Sequence, residues 1–248
     1  MREVDVAGLL AASEDPVVHH QLDHRRLVRA WVDGPAVVVR HTVGWRGAPD
    51  GVEAVLALGP GAALGPLAAR VDALVGPPWR TVVDAPAHDA LPAAWRPATA
   101  RDWHWMTTRA VPVLPDAPAV VEVGPVGDDE VSAVLDVANP DSFARPGGGR
   151  VVEQWLGARV DGDVAAVGAL VRHPSGSGVL SGITTLPGHR GQGLGAAVTT
   201  ELTRRALAVG PGLCTLGVWT DNPVAVRLYE RLGYAVARTF ASGVTGRV

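Results

Sequence analysis

The 248 residues predict an α+β fold built on a mixed, mostly antiparallel sheet flanked by helices. Three observations carry that expectation. Val151–Val160 and Val164–Arg172 have strand character and flank Asp161-Gly162-Asp163, a hairpin signal that sets neighbouring strands antiparallel. The stretch from about Gly193 to Val209 places Leu194, Val198, Leu202 and Ala206 four apart, the apolar stripe of a helix. With 47% apolar residues the chain has enough hydrophobic surface to bury real cores.

The elements follow in order. Gly127–Ala138 reads as a helix with Val131, Val134, Leu135 and Ala138 on one face. A loop, Asn139–Arg150, carries two prolines and Gly147-Gly148-Gly149, and the hairpin comes next. Strand Gly178–Leu186 follows a Pro-Ser-Gly-Ser-Gly turn, and Pro211-Gly212 ends the helix behind it. Strand Leu213–Trp219, helix Val224–Leu232 and strand Tyr234–Ser242 complete this half. The first half echoes that order: a helix over Val17–Trp31, strands Ala36–His41 and Val52–Leu58, a glycine-rich turn Gly59–Gly65 opening a helix Pro66–Val75, strand Arg80–Asp84, a short helix near His88–Trp95 and strand Trp103–Thr108. The repetition suggests an internal duplication. Pro112, Pro115 and Pro118 punctuate a stretch with no helical period. The expected domains are therefore 1–111 and 120–248, joined by a Pro-rich linker over 112–119.

A net charge of −3 with no block of like charge gives no support to extended nucleic-acid or membrane-surface contacts. No apolar run approaches the roughly 20 residues of a membrane helix. Acidic residues on both sides of Val6–Ala12 are unlike a secretory leader, so a cytoplasmic location is expected. Cys214, the single cysteine, lies in an apolar run and reads as a buried core thiol. His20 and His24 have a chelating spacing if both lie on one helix, but a third ligand is lacking, and no metal is expected. Trp31, Trp45, Trp79, Trp95, Trp103 and Trp105 lie in the first half and read as packing residues.

The stretch His189–Val198, HRGQGLGAAV, admits two readings. Gly191-x-Gly193-x-x-Ala196 fits a dinucleotide fingerprint, with Asp221 after the next strand as the ribose acid. Arg190-x-x-Gly193-x-Gly195 fits a pyrophosphate loop, because a helix head offers unpaired N–H groups and partial positive charge. Antiparallel strands upstream disfavour the first reading. Thr220–Tyr234, TDNPVAVRLYERLGY, adds Asn222-x-x-Ala225-x-x-Leu228-Tyr229-x-x-x-Gly233-Tyr234. Together the two segments resemble the GNAT superfamily of acyl-CoA-dependent N-acyltransferases, over roughly Val120–Ser242.

The resemblance implies a sheet whose strands Gly178–Leu186 and Leu213–Trp219 splay apart, with acetyl-CoA (coenzyme A) lying in the split as acyl donor. It implies pantetheine contacts at Thr185 and Leu186, and a diphosphate on Arg190, Gly191, Gln192, Gly193, Leu194 and Gly195. Asn222 matches a residue that contacts the coenzyme arm, and Tyr229 one that lies near its sulfur. A phenol suits a general acid toward the leaving thiolate, and a strand N–H near Leu186 suits an oxyanion donor. Many relatives place a carboxylate on the strand here written VLSGITTL, which carries only Ser181, Thr184 and Thr185. Glu153 is the leading candidate base; His173, His189 and a water chain are alternatives. Asp141, Phe143 and Arg145 are candidate acceptor contacts on a lid.

The two-half pattern also resembles tandem members of the superfamily, in which the first domain has lost its cofactor loop. The expected activity is acetyl transfer to a primary amine of a small molecule, by a monomer or homodimer without nucleic-acid or membrane partners. The alternatives are acetylation of a protein amine and a catalytically silent acyl-CoA-binding or regulatory module.

Overall fold

The computed structural model describes residues 1–43, 51–113, 122–148 and 151–246. The chain forms two compact units: Met1–Trp105 with Trp219–Asp221 and Ala237–Val248, and Met106–Val218 with Asn222–Val236.

In the first unit, strand β1 (Arg2–Val4) precedes helix α1 (Val6–Ala12), capped by the Asp5 carboxylate on the Gly8 N–H. Helix α2 (Pro16–His20) starts at a proline behind Asp15, whose side chain accepts from the Val17 N–H. The expected helix Val17–Trp31 is corrected here: it stops at His20, and Leu27–Asp33 is strand β2. The run LVRAWV pairs with β3 (Ala36–Thr42) across Gly34-Pro35 and buries Ala30 and Trp31, so sheet pairing overrides the helical reading. His20 and His24 accordingly do not share a helix, and the His24 ring bonds the Val18 carbonyl.

Strand β4 (Glu53–Leu58), helix α3 (Gly61–Val75) and strand β5 (Arg80–Asp84) follow, with β4 and β5 parallel. The helix begins inside the glycine turn, five residues before the expected Pro66. The expected helix near His88–Trp95 is two 3-10 turns, Ala85–Ala90 and Ala93–Trp95. Strand β6 (Arg101–Thr108) contains the boundary between the units, after Trp105. Two apolar clusters fill this unit, one around Trp31, Leu67 and Trp95, the other around Leu9, Trp105 and Phe240.

The second unit contains strand β7 (Glu122–Pro125), helix α4 (Asp128–Ala138), strands β8 (Gln154–Val160), β9 (Asp163–Arg172) and β10 (Gly178–Thr185), helix α5 (Leu194–Leu207), strand β11 (Cys214–Trp219) and helix α6 (Pro223–Arg231). Strands β7 to β10 pair antiparallel in order, and β11 joins β10 in parallel. Strand β7 has no counterpart in the sequence reading. At the β8–β9 turn Asp161 and Gly162 both have positive φ, 53° and 91°, as the twist-matching type of tight hairpin requires. Leu156, Leu170, Val198, Leu202 and Leu216 pack between α5 and the sheet.

The last strand, β12 (Ala235–Val244), pairs through Phe240–Val244 with Asp84–Arg80 of β5. Residues from Ala237 on thus belong to the first unit, which corrects the expected 120–248 domain. Within the expected linker, 114–119 lies outside the described residues, as do Trp45 and the Gly149-Arg150 end of the loop.

Candidate functional site

Strands β10 and β11 pair only over Gly178–Leu180 and Cys214–Leu216. Beyond that point β10 stays with β9, as far as Thr185 opposite Ala166. An open edge on β10 results. The Leu186 N–H donates to the Ala165 carbonyl at 2.9 Å, so it is already committed; the expectation of an oxyanion donor there is corrected. Alternation along a strand then turns the N–H and C=O of Thr185 to the other edge, where β11 no longer pairs. The Thr185 carbonyl accepts from Arg190 Nε at 3.4 Å.

The chain turns from this edge into α5 through a 3-10 turn, Pro187–His189, and the glycine loop. Gly191, Gln192 and Gly193 are exposed, whereas Leu194 is buried and fixes the helix head in the core. Gly193 is the N-cap residue with φ +79°, a left-handed conformation in which other residues are strained. The Ala197 N–H makes the first helical bond, to the Gly193 carbonyl. The N–H groups of Leu194, Gly195 and Ala196 therefore have no partner in the helix. A Cβ on Gly195 would lie 3.3 Å from Thr185 Oγ1 and 3.8 Å from Leu228 Cδ2, so helix head, strand edge and α6 meet here. These donors, with the exposed Arg190, fit the diphosphate of an acyl-CoA.

Asn222 is the N-cap of α6: its Oδ1 accepts from the Ala225 N–H at 3.1 Å, so its side-chain amide N–H groups are what it can offer outward. Tyr229 is 7% exposed and its ring meets Tyr234 edge-on at 6.1 Å. Burial pushes the Tyr229 phenol up to about 12. On α6, Leu228 packs on the core and Leu232 just beyond the helix is buried with Tyr229, whereas Val224 is exposed. The Tyr234 hydroxyl is held by Thr203 at 2.6 Å and Cys214 Sγ at 3.1 Å. Burial raises the Cys214 thiol to about 11, so Cys214 is a core thiol.

Glu153 lies elsewhere. Its carboxylate takes two bonds from Arg172, at 2.8 and 3.1 Å, and this guanidinium holds its carboxyl below the usual range. Arg172 also donates to the Ala206 and Val209 carbonyls at the C-terminal end of α5. The glycine loop is at the other end of that 14-residue helix, about 20 Å away at 1.5 Å per residue. Glu153 thus stands apart from the glycine loop, with its carboxylate engaged by Arg172. His173 is in the same distant region, its Nδ1 accepting from the Ser175 N–H within the turn to β10. His189 is half-buried on the phosphate side, in the 3-10 turn.

The loop after α4 rests on β10. Between Ser181 and Thr184 the strand gains one residue against β9, forming a bulge at Gly182 (φ +62°). Asn139 Nδ2 donates to Thr184 Oγ1 at 3.1 Å. Of the candidate acceptor contacts, Asp141 and Phe143 are exposed, but Arg145 is engaged by an ion pair with Asp136 and a bond to the Pro140 carbonyl. Sequence reading overlooked the bulge, although an isolated glycine within a strand pattern is its usual mark.

The first unit has its own cavity of about 360 Å³, lined among others by Gly59, Gly61, Asp84 and Arg238. Asp84 accepts the Gly59 N–H at 2.8 Å and is paired with Arg238. Burial pushes its carboxyl up against both of those partners. Among the described residues no three His, Cys, Asp or Glu side chains are grouped to hold a metal, and no helix is long and apolar enough to cross a membrane.

A parallel strand pair that opens beside a glycine-started helix defines the second unit as a GNAT-type fold. Residues 127–234 match the Acetyltransferase (GNAT) family. A mycothiol acetyltransferase of Streptomyces avermitilis is 33% identical over 144 residues, 52% of this chain. The match spans about half, 47%, of that relative's length. Solved structures of GCN5-related N-acetyltransferases share the fold. One from Sphaerobacter thermophilus gives a TM-score of 0.57 at 18% identity, covering 96% of this chain and 90% of its own. One from Kribbella flavida gives 0.55 at 21% identity, covering 90% and 91%.

Proposed function

We propose that the chain transfers an acetyl group from acetyl-CoA directly to the primary amine of a small molecule. The observation that carries this reading is the end of β10–β11 pairing at Leu180 and Leu216, beside a helix head with unpaired N–H groups. Acetyl-CoA supplies an activated thioester. Arg190 and the N–H groups from Gln192 to Gly195 hold its diphosphate, the open edge at Thr185 aligns the pantetheine amides, and the Asn222 amide contacts the arm.

Tyr229 is the proton donor to the departing sulfur. Its burial keeps the phenol protonated throughout the physiological range, which a general acid requires. The amine is presented by the loop after α4, through Asp141 and Phe143. A relative named as a mycothiol acetyltransferase favours a small-molecule acceptor over a protein amine.

We read the first unit as a degenerate copy. In both units a hairpin, a strand, a helix and a strand parallel to the first follow in order. At the glycine turn of the first unit, Asp84 already takes the Gly59 N–H and opposes a diphosphate by its charge. Thiol release from acetyl-CoA across a panel of amines, polyamines, amino acids and peptides tests the whole reading. Tight coenzyme binding without turnover on any acceptor would instead establish a silent binding module, the alternative that a carboxylate-free β10 favours.

A further inference from the structure

The bulge on β10 and the loop after α4 are built as one piece. Thr184, only 6% exposed, donates from Oγ1 to the Gly182 carbonyl across the bulge at 3.1 Å and accepts from Asn139 Nδ2 at 3.1 Å. Asn139 ends α4, its N–H donating to the Leu135 carbonyl. From there the loop is internally bonded: the Ser142 N–H donates to the Asn139 carbonyl at 3.1 Å, and Ser142 Oγ to the Ala144 carbonyl at 2.8 Å. Ala144 is fully buried in the cluster of Val131, Leu135 and Trp155. Gly182 lies directly beneath, since a Cβ there would come within 3.1 Å of Ser142 Oγ and 3.3 Å of the Ala144 carbonyl. The exposed Asp141 and Phe143 sit between the two anchors, Asn139 and Ala144.

We propose that Asn139 and Thr184 are positioning residues for the acceptor: their hydrogen bond locks the loop onto the strand bulge, so that Asp141 and Phe143 are presented in a preformed arrangement. The inference rests on the acyl-transfer reading for its effect on acceptor binding. This side-chain bond ties the α4 end of the acceptor loop to β10 one residue before the open edge at Thr185, while buried Ala144 anchors its other end. Pre-ordering of this kind acts on acceptor affinity, because an unlatched loop must be ordered when the acceptor arrives. The coenzyme loop is on another segment and does not depend on the latch.

The test uses the full chain with Thr184→Val, which keeps shape and removes the hydroxyl, and Thr184→Ser, which restores it. T184V removes both bonds of Oγ1, to Asn139 and to Gly182, and the share carried by the Asn139 bond, one net hydrogen bond, corresponds to about a fivefold rise in acceptor KM. We expect that rise in T184V with kcat and coenzyme Kd within about twofold, and T184S close to the unmodified chain. Unchanged acceptor KM in T184V, a coenzyme Kd that rises in step with it, or a T184S that behaves like T184V overturns the proposal. Amide exchange at Ser142 reads the latch without turnover: it should accelerate in T184V, and unchanged exchange overturns the latch. Absence of turnover on every amine in the unmodified chain, with faster Ser142 exchange in T184V, overturns acetyl transfer and sustains the latch.

Discussion

Replacing Gly193 with alanine puts a Cβ on a residue held at φ +79°. A left-handed conformation costs a non-glycine residue roughly 1–2 kcal/mol. Two responses are open to the loop. If it keeps its shape the strain appears in stability, partly offset by about 0.4–1 kcal/mol from the stiffer unfolded chain. If it relaxes to negative φ, stability is retained but the N–H groups of the helix head must be re-aimed on binding. Coenzyme affinity then falls by the full strain, about 5- to 30-fold. Titration calorimetry with CoA and denaturant unfolding, run on the same preparations, read the two quantities together. Gly188 is the control, with no atoms near a Cβ and no positive φ, so Gly188→Ala should change neither. Intact stability and intact CoA affinity in G193A would refute the assignment of the loop.

Tyr229→Phe is expected to lower kcat by about 10²-fold with CoA Kd nearly unchanged, as loss of a general acid does; steady-state kinetics beside calorimetry checks it. With the phenol at about 12, Tyr229 remains protonated below that value, so no falling limb in the kcat–pH profile should trace to it at pH 7–10. Glu201, paired with Arg204 and Arg205, has its carboxyl lowered to about 2. A depressed folded value contributes stability above the unfolded value and loses it as pH falls. Glu201→Gln should thus destabilise at pH 7, by about 1 kcal/mol after solvent screening, and the difference in unfolding midpoint should vanish as pH falls from 4.5 toward 2. CoA should bind with a stoichiometry of one per chain in calorimetry; a value of two would show the first unit to be a working site. Without a carboxylate on β10, kcat/KM for the acceptor should rise with pH according to the amine's own pKa. An enzyme group whose pKa stays fixed across amines would show a base instead.

Most of the second unit was legible because its signals are local. Asp161-Gly162 is a tight-turn dipeptide, α5 has its stripe, and the helix expected over Val224–Leu232 is α6 within one residue at each end. Failures came where distant segments decide. Leu27–Asp33 is a strand because Ala36–Thr42 lies beside it, and β12 leaves its neighbours in sequence to pair with β5. Motif spacing names Arg190 through Gly195, Asn222 and Tyr229, which the structure places at the helix head, at the N-cap of α6 and buried on α6, whereas Glu153, a candidate base, is bound to Arg172. Its position along the hairpin looked suitable, but its partner, Arg172, is set by the far end of α5, a relation that no spacing encodes.

A β10 without a carboxylate also bears on how much chemistry the proposed reaction asks of side chains. A thioester is already activated, and an amine that arrives neutral is a competent nucleophile, so holding the two in register can supply several kcal/mol of the barrier by itself. Three irregular features of the backbone suit that task. Gly193 opens the helix head, the Gly182 bulge seats the acceptor loop, and the end of β10–β11 pairing exposes the edge at Thr185. The nitrogen that has attacked gives up one proton to solvent, the departing thiolate calls for one from the protein, and Tyr229, kept protonated by burial, is the side chain suited to give it.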